Sequence, residues 1–307
     1  MSRWKEPLRE AKRAMTRLQQ GLERRRFASV WDRQISAVEA NSRIAGLIRA
    51  GEPLLVGRIG HTEGRIVGEA LFRGGRYGRM TRKEAHAYSG IFPVTPALLG
   101  TFAELYAEAI GQADLLGFWQ TSHQARLMHD LYPEVPLTAL PALEPYLHDQ
   151  PWSQALEGLR VLVVHPFAAS IARQYQRHRA DLFTDPQVLP PFDLQVLAPP
   201  QTLAPATAGY GSWLEAFESL QAAVLSREFD LALLGCGAYG LPLAARIKAH
   251  GRQAIHLGGS LQVLFGIRGR RWDQRPEFQA LMTQAWVRPS AAETPDSAGQ
   301  VDGGCYW

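Results

Sequence analysis

EFDLALLGCGAYGLPLAARIKAHGRQAIHLGGSLQVLFG, residues 228–266, decides the fold. Asp230–Leu234 is an apolar run of strand length, and Gly235-Cys236-Gly237-Ala238-Tyr239-Gly240 is a G-x-G-x-x-G turn. Leu241–His250 has helical spacing, with Leu243, Ile247 and His250 on one side, and Gly251 stands where a helix-ending glycine belongs. Gln253–Leu257 is a second apolar strand, and Gly258-Gly259 opens a second helix. A crossover of this length between strands implies a parallel sheet.

A turn directly off a buried strand needs positive φ at some position, and bare backbone lets a phosphate approach the N–H groups that open the next helix. A dinucleotide fingerprint also wants a carboxylate about 20 residues on, to hold the ribose hydroxyls. Here the second strand ends His256-Leu257-Gly258-Gly259, with no acid. That departure favours other phosphate-bearing ligands, such as sugar nucleotides. The plainer reading is that the glycines only permit tight strand–helix packing.

Outward from this unit, strands and helices alternate. Leu54–Gly60, Asp114–Trp119, Arg160–Val164 and Phe192–Leu197 read as further strands, giving an α/β domain with a parallel or mostly parallel sheet of about six strands over residues 51–290. Thr138–Leu140 reads as a short apolar patch, and 132–158 as the best boundary between two halves. Residues 3–26 and Val30–Ala50 have helical spacing and form an N-terminal helical arm over 1–50. Thr81 and Glu84 fit a capping box for a helix over 82–90. The last residues, 291–307, finish in Cys305-Tyr306-Trp307 after a glycine turn, which predicts a tail that docks back.

At 307 residues with 46% hydrophobic and 20% charged content, the chain has the composition of a globular enzyme. Two cysteines make no disulfide framework and fit a reducing compartment. Apolar runs fall short of a membrane span, and the N-terminus, charged from its third residue, lacks an apolar signal core. The net charge is +4, yet residues 1–26 carry nine Lys/Arg against three acids, so the body is slightly acidic. That argues against a nucleic-acid enzyme with a basic cleft. The arm reads as a solvated helix, or as peripheral contact with anionic lipid or a partner subunit. The expected location is the cytoplasm, with the inner membrane face compatible.

Polar groups gather at strand ends. Arg58, Gly60, His61 and Glu63 follow the first strand; Gln120-Thr121-Ser122-His123 follow the second; His165 follows another; Gly235–Gly240 and His256–Ser260 close the opening unit. In an open parallel sheet these ends share one rim, where ligands bind. Glu63 is placed for base chemistry or for a divalent cation, and it would equally serve as a first-turn acid stabilising the helix dipole. His123 and His165 are isolated and read as scaffold before catalyst. No P-loop, nucleophile elbow or H-E-x-x-H is present, so any metal would be a hard ion on Glu63 and ligand phosphates.

Four segments carry a resemblance: Val56-Gly57-Arg58-Ile59-Gly60-x-x-Glu63, the run from Gly235 to Ala244, the run from Ala254 to Ile267, and the terminal Gly304-Cys305-Tyr306-Trp307. Together they resemble bacterial GT-D-type glycosyltransferases of surface-polysaccharide synthesis, over most of residues 50–307. The resemblance implies a Rossmann-like fold and transfer of a sugar from a nucleotide donor to a glycan or lipid-linked acceptor. It also implies Mn2+ or Mg2+ near a D-x-E motif. Glu63 matches the glutamate of that motif, whereas His61 stands at its aspartate. The site expected on this basis has Glu63 and His61 as catalytic groups, with Glu63 on any metal. Arg58, Gly60, Gly235, Gly237, Tyr239, Gly240, His256, Gly258, Gly259 and Ser260 are expected at the donor phosphates. Two alternatives remain: an NAD(P)-dependent oxidoreductase resting on the glycine turn, and a non-catalytic polysaccharide-assembly protein that keeps the fold.

Overall fold

The computed structural model describes residues 25–119, 121–202, 207–295, 298–300 and 302–307. The helix expected over 3–26, with its basic charge, lies almost wholly outside the described residues, as does Gln120.

Seven strands form one all-parallel sheet: β1 (Leu54–Arg58), β2 (Leu115–Phe118), β3 (Leu137–Ala139), β4 (Arg160–Val164), β5 (Asp193–Leu197), β6 (Leu231–Leu234) and β7 (Gln253–His256). Their order is β3-β2-β1-β7-β6-β4-β5, a Rossmann-like α/β architecture. The strand beyond the expected six is β3, at the patch read around Thr138–Leu140. It is three residues long, lies between Pro136 and Pro141, and sits at the sheet edge, too short to show a period.

The inner strands are apolar without alternation because helices cover both faces. Leu55, Leu116, Leu162, Val164 and Leu234 pack with α3 (His61–Phe72), α5 (Pro96–Gly111), α8 (Trp213–Leu225) and α9 (Gly240–Ala249). Leu54, Val56, Val161, Val163 and Ile255 face the other layer, with Ile44 and Ile48 of α2 (Ala37–Ala50), Trp152, and Ile171 of α7 (Ala168–His178). The sheet thus separates two apolar clusters, one on each face, whose burial drives folding.

The segment before β1 departs from the expected arm. Val30–Ala50 is split into α1 (Ala28–Asp32) and α2, because Gln34 bridges to Leu137 of the edge strand and Ser36 caps the new start, accepting from Glu39 N–H at 3.2 Å. Phe27, Val30, Ile44 and Ile48 are all buried, so residues 27–50 belong to the body. Helix α4 runs Arg79–Ala87 with Gly78, not Thr81, at its N-cap. The Glu69 carboxylate accepts the Gly78 N–H at 2.8 Å, and Thr81 is buried inside the helix. After β3 the chain passes from one block of the sheet, β3-β2-β1, to the other, β7-β6-β4-β5, and the two blocks join in one sheet where β7 pairs with β1. No helix among the described residues is long and apolar enough to cross a membrane.

Helix α6 (Ser122–Asp130) follows β2. The chain leaves β1 toward one face of the sheet, where Ile66 and Val67 of α3 pack, and leaves β7 toward the other, where Leu261, Val263 and Leu264 pack, so the carboxyl ends of these paired strands border a crevice of the kind that holds ligands in such sheets.

Candidate functional site

A cleft of about 440 Å³ opens over the carboxyl ends of β1, β6 and β7. It begins at the end of β1. Gly60 is the N-cap of α3, so Glu63 falls at the third helical position, where a side chain folds back toward the cap. The carboxyl lies over the Gly60 Cα: a Cβ there would come within 2.6 Å of Glu63 Cδ. Gly60 has φ −67° and ψ 151°, open to any residue, so its requirement for glycine is close approach and not backbone strain. Glu63 Oε1 accepts from the Ser89 hydroxyl at 2.7 Å, and the residue is only 9% exposed. Burial pushes this carboxyl above the ordinary range; the Ser89 hydrogen bond, its own backbone N–H, His61 and Arg58 pull the other way.

The surrounding backbone is fixed by buried polar groups. The Gly60 N–H donates to the Tyr106 hydroxyl at 3.0 Å. Burial, with Glu63 nearby, raises Tyr106, so it stays a phenol whose proton is available to a neighbour. Gln124, fully buried, donates to the Gly60 carbonyl at 3.0 Å and accepts the Trp119 N–H at 2.8 Å, tying the ends of β1 and β2 together.

Two guanidiniums line the cleft with Glu63. Arg58 donates to the Leu257 carbonyl at 3.1 Å and lies 5.8 Å from the centre of the Trp119 ring. Arg271 lies 4.7 Å from the centre of Tyr306, and both line the cleft. His61 is exposed, lines the cleft and packs edge-on to His123 at 5.2 Å. Partial burial and Arg65 lower His61. Burial, then His61, pushes His123 down to about 4.

The glycines of the opening turn have separate reasons. Gly237 has φ +57° and lines the cleft. Gly235 and Gly240 do not line it; they make room for imidazoles. A Cβ on Gly235 would meet His165 Nε2 at 3.2 Å, and one on Gly240 would meet His256 Cγ at 2.9 Å. His165 Nδ1 accepts the Phe167 N–H at 2.9 Å, and His256 Nδ1 donates to the Leu234 carbonyl at 3.1 Å. Burial pushes both rings down to about 3, with Arg58 adding to it at His256. A neutral His256 with its proton on Nδ1 keeps its lone pair on Nε2. Tyr239, expected at the phosphates, is instead core: it stacks on Trp213 at 5.0 Å and shares a hydrogen bond with Thr202 at 2.8 Å. Burial pushes the Cys236 thiol up to about 12, which leaves no thiolate in the turn.

Comparison with known protein families, curated proteins and solved structures returned no match.

Eight of the expected residues therefore line one cleft: Arg58, Gly60, His61, Glu63, Gly237, His256, Gly258 and Gly259. Ser260 lines an adjoining lobe, with its hydroxyl donating to the Leu257 carbonyl at 2.9 Å. Sequence reasoning missed Ser89, Tyr106 and Trp119. Tyr106 has ordinary core spacing on α5, and Ser89 sits 26 residues from the carboxyl it serves, so neither carried a local signal. The chain's end completes the wall. Gly259 is bare where Tyr306 arrives, since a Cβ would lie 2.9 Å from Tyr306 Cδ1. Gln262 donates to the Tyr306 carbonyl at 3.0 Å, and Trp307 Nε1 donates to the Glu293 carbonyl at 3.1 Å.

Among the described residues no three His, Cys, Asp or Glu side chains are grouped to hold a metal ion. Glu63 offers one carboxyl already bonded by Ser89, and an imidazole replaces the second acid a hard cation would want. This donor set does not fit a protein-built Mn2+ or Mg2+ centre.

Proposed function

We propose that the chain is a glycosyltransferase that moves a sugar from a nucleoside diphosphate donor to a hydroxyl acceptor. The observation that carries the reading is a buried carboxyl with a raised pKa, Glu63, that shares one cleft at the strand ends with two guanidiniums, Arg58 and Arg271. Such a carboxyl is a better base near neutrality than an exposed one. In the transfer, an acceptor oxygen forms a bond to the anomeric carbon as the bond from that carbon to the diphosphate oxygen breaks. The hydroxyl proton passes to Glu63, and the charge left on the diphosphate is met by Arg58 and Arg271. Neutral His256 adds a hydrogen-bond acceptor for a sugar hydroxyl.

The resemblance to GT-D-type enzymes points the same way, toward a surface-polysaccharide acceptor, free or lipid-linked. The basic N-terminal arm fits contact with an anionic membrane face. The oxidoreductase reading gains less support, because two of the three turn glycines make room for imidazoles and the next strand ends in His256 rather than a ribose acid.

Calorimetric titration with UDP, GDP and their sugar conjugates, with and without Mn2+, tests the proposal beside a donor-hydrolysis assay. At least one donor is expected to bind, and Glu63→Gln to keep binding while losing turnover by about a hundredfold or more. Absence of binding by every nucleotide sugar, or unchanged turnover in Glu63→Gln, defeats it. Binding of NADH instead would select the oxidoreductase.

A further inference from the structure

A second lobe of about 310 Å³ adjoins the cleft and shares Arg58, Trp119 and Arg271 with it as a common wall. The transfer chemistry around Glu63 does not use this lobe. Its apolar lining comes from Phe118, Leu140, Pro141 and Trp272, with Trp119 at the shared wall and Arg275 as a further guanidinium. Trp119 is 41% exposed, a large ring left at the surface beside a guanidinium. One carboxyl, Glu144, interrupts the apolar surface. Burial raises it, while Arg58, Arg275 and hydrogen bonds from Tyr146 and Ser260 oppose that rise, and a carboxylate has lone pairs to spare for a further donor. An aromatic platform, an apolar slot, one acceptor group and cations toward the reaction chamber describe a site for a planar ring with apolar faces, a donor-bearing edge and an attached anion.

We propose that this lobe holds the base of the donor nucleotide, stacked on Trp119 with its edge at Glu144, and that the base is guanine. The inference rests on the nucleotide-sugar reading above and deepens it. The diphosphate then crosses the shared wall at Arg58 and Arg271, and the sugar enters the chamber of Glu63. Guanine is singled out because its N1–H and 2-amino group are adjacent donors that match the two oxygens of a carboxylate. Uracil offers one donor on that edge, and adenine pairs its donor with an acceptor. Stacking on an aromatic ring tolerates any base, so selectivity falls to Glu144.

The test is calorimetry with GDP, inosine diphosphate, UDP and inorganic pyrophosphate on the wild type, Trp119→Ala and Glu144→Gln, with melting curves to confirm folding. GDP is expected to bind about tenfold or more tighter than UDP or inosine diphosphate, which lacks the 2-amino group. Trp119→Ala is expected to weaken GDP by about tenfold and leave pyrophosphate within about twofold. Glu144→Gln is expected to erase the difference between GDP and inosine diphosphate. Equal affinity for GDP and UDP in the wild type overturns the guanine site while the transferase reading stands. So does a Trp119→Ala protein that keeps full GDP affinity, or loses pyrophosphate in parallel. If no nucleoside diphosphate binds the wild type, the transferase reading fails and takes the base lobe with it.

Discussion

Gly60→Ala is the sharpest probe of how the site is built. The backbone at Gly60 accepts alanine, so the cost comes from contact alone. The three nearest atoms to the new Cβ all belong to Glu63, including Cδ at 2.6 Å. The carboxyl must swing away, and its 2.7 Å bond from Ser89 is lost in a buried setting. Losing a hydrogen bond to a buried, ionisable group costs about 1.5–3 kcal/mol, and alanine is a poorer N-cap than glycine by about 0.5–1 kcal/mol. The sum is about 2–4 kcal/mol, or a fall in Tm of about 4–8 °C for a chain of this size. The assay is a double-mutant cycle by calorimetric or urea unfolding. In a Glu63→Ala background the clash is gone, so Gly60→Ala should cost only the capping term. The cycle should then return a coupling of about 1.5–3 kcal/mol. Additive effects would show that Gly60 and Glu63 are not the interlocked pair described above. Donor turnover should fall in Gly60→Ala as it does in Glu63→Gln, because the base has moved.

Three further outcomes follow from the same geometry. The folded-state pKa of Glu63 lies above the ordinary carboxyl value. Its contribution is therefore full below that value and is lost as pH rises through the folded pKa; urea unfolding from pH 4 to 8 should show the wild type losing stability relative to Glu63→Gln, and the opposite slope would be fatal. With His165 and His256 held down at about 3, neither imidazole should titrate between about pH 5 and 8 in an NMR titration, and a midpoint near the ordinary histidine value would refute the assignment. Tyr306→Ala empties the space over Gly259 and removes the ring beside Arg271, so Tm should drop by the equivalent of about 1–3 kcal/mol and nucleotide affinity should weaken several-fold; unchanged affinity would remove the tail from the site.

Much of the fold was legible because burial on both faces writes inner parallel strands as unbroken apolar runs, as in Leu231–Leu234 and the four residues from Val161 to Val164. The strand over Leu137–Ala139 was not, because three residues are too few to show a period, and the break before Ser36 was not, because it follows from pairing of Gln34 and Ile35 with a strand about a hundred residues on. Thr81 has the chemistry of a cap, yet the Glu69 carboxylate holds the Gly78 N–H and sets the helix start one turn earlier.

The sequence by itself determined the parallel α/β frame and the cluster Arg58–Glu63 at the end of its first strand, since both arise from neighbours along the chain. It also marked where side chains are excluded, at Gly60, Gly235, Gly240 and Gly259. Only the tertiary structure decided what excludes them: a carboxyl, two imidazoles and the ring of Tyr306. It alone brought Ser89 and Tyr106 to Glu63 and its cap, and it moved Tyr239 from the site into the core. Local chemistry follows chain order, whereas close approach, burial and the pKa they impose depend on segments that meet only when the sheet is assembled.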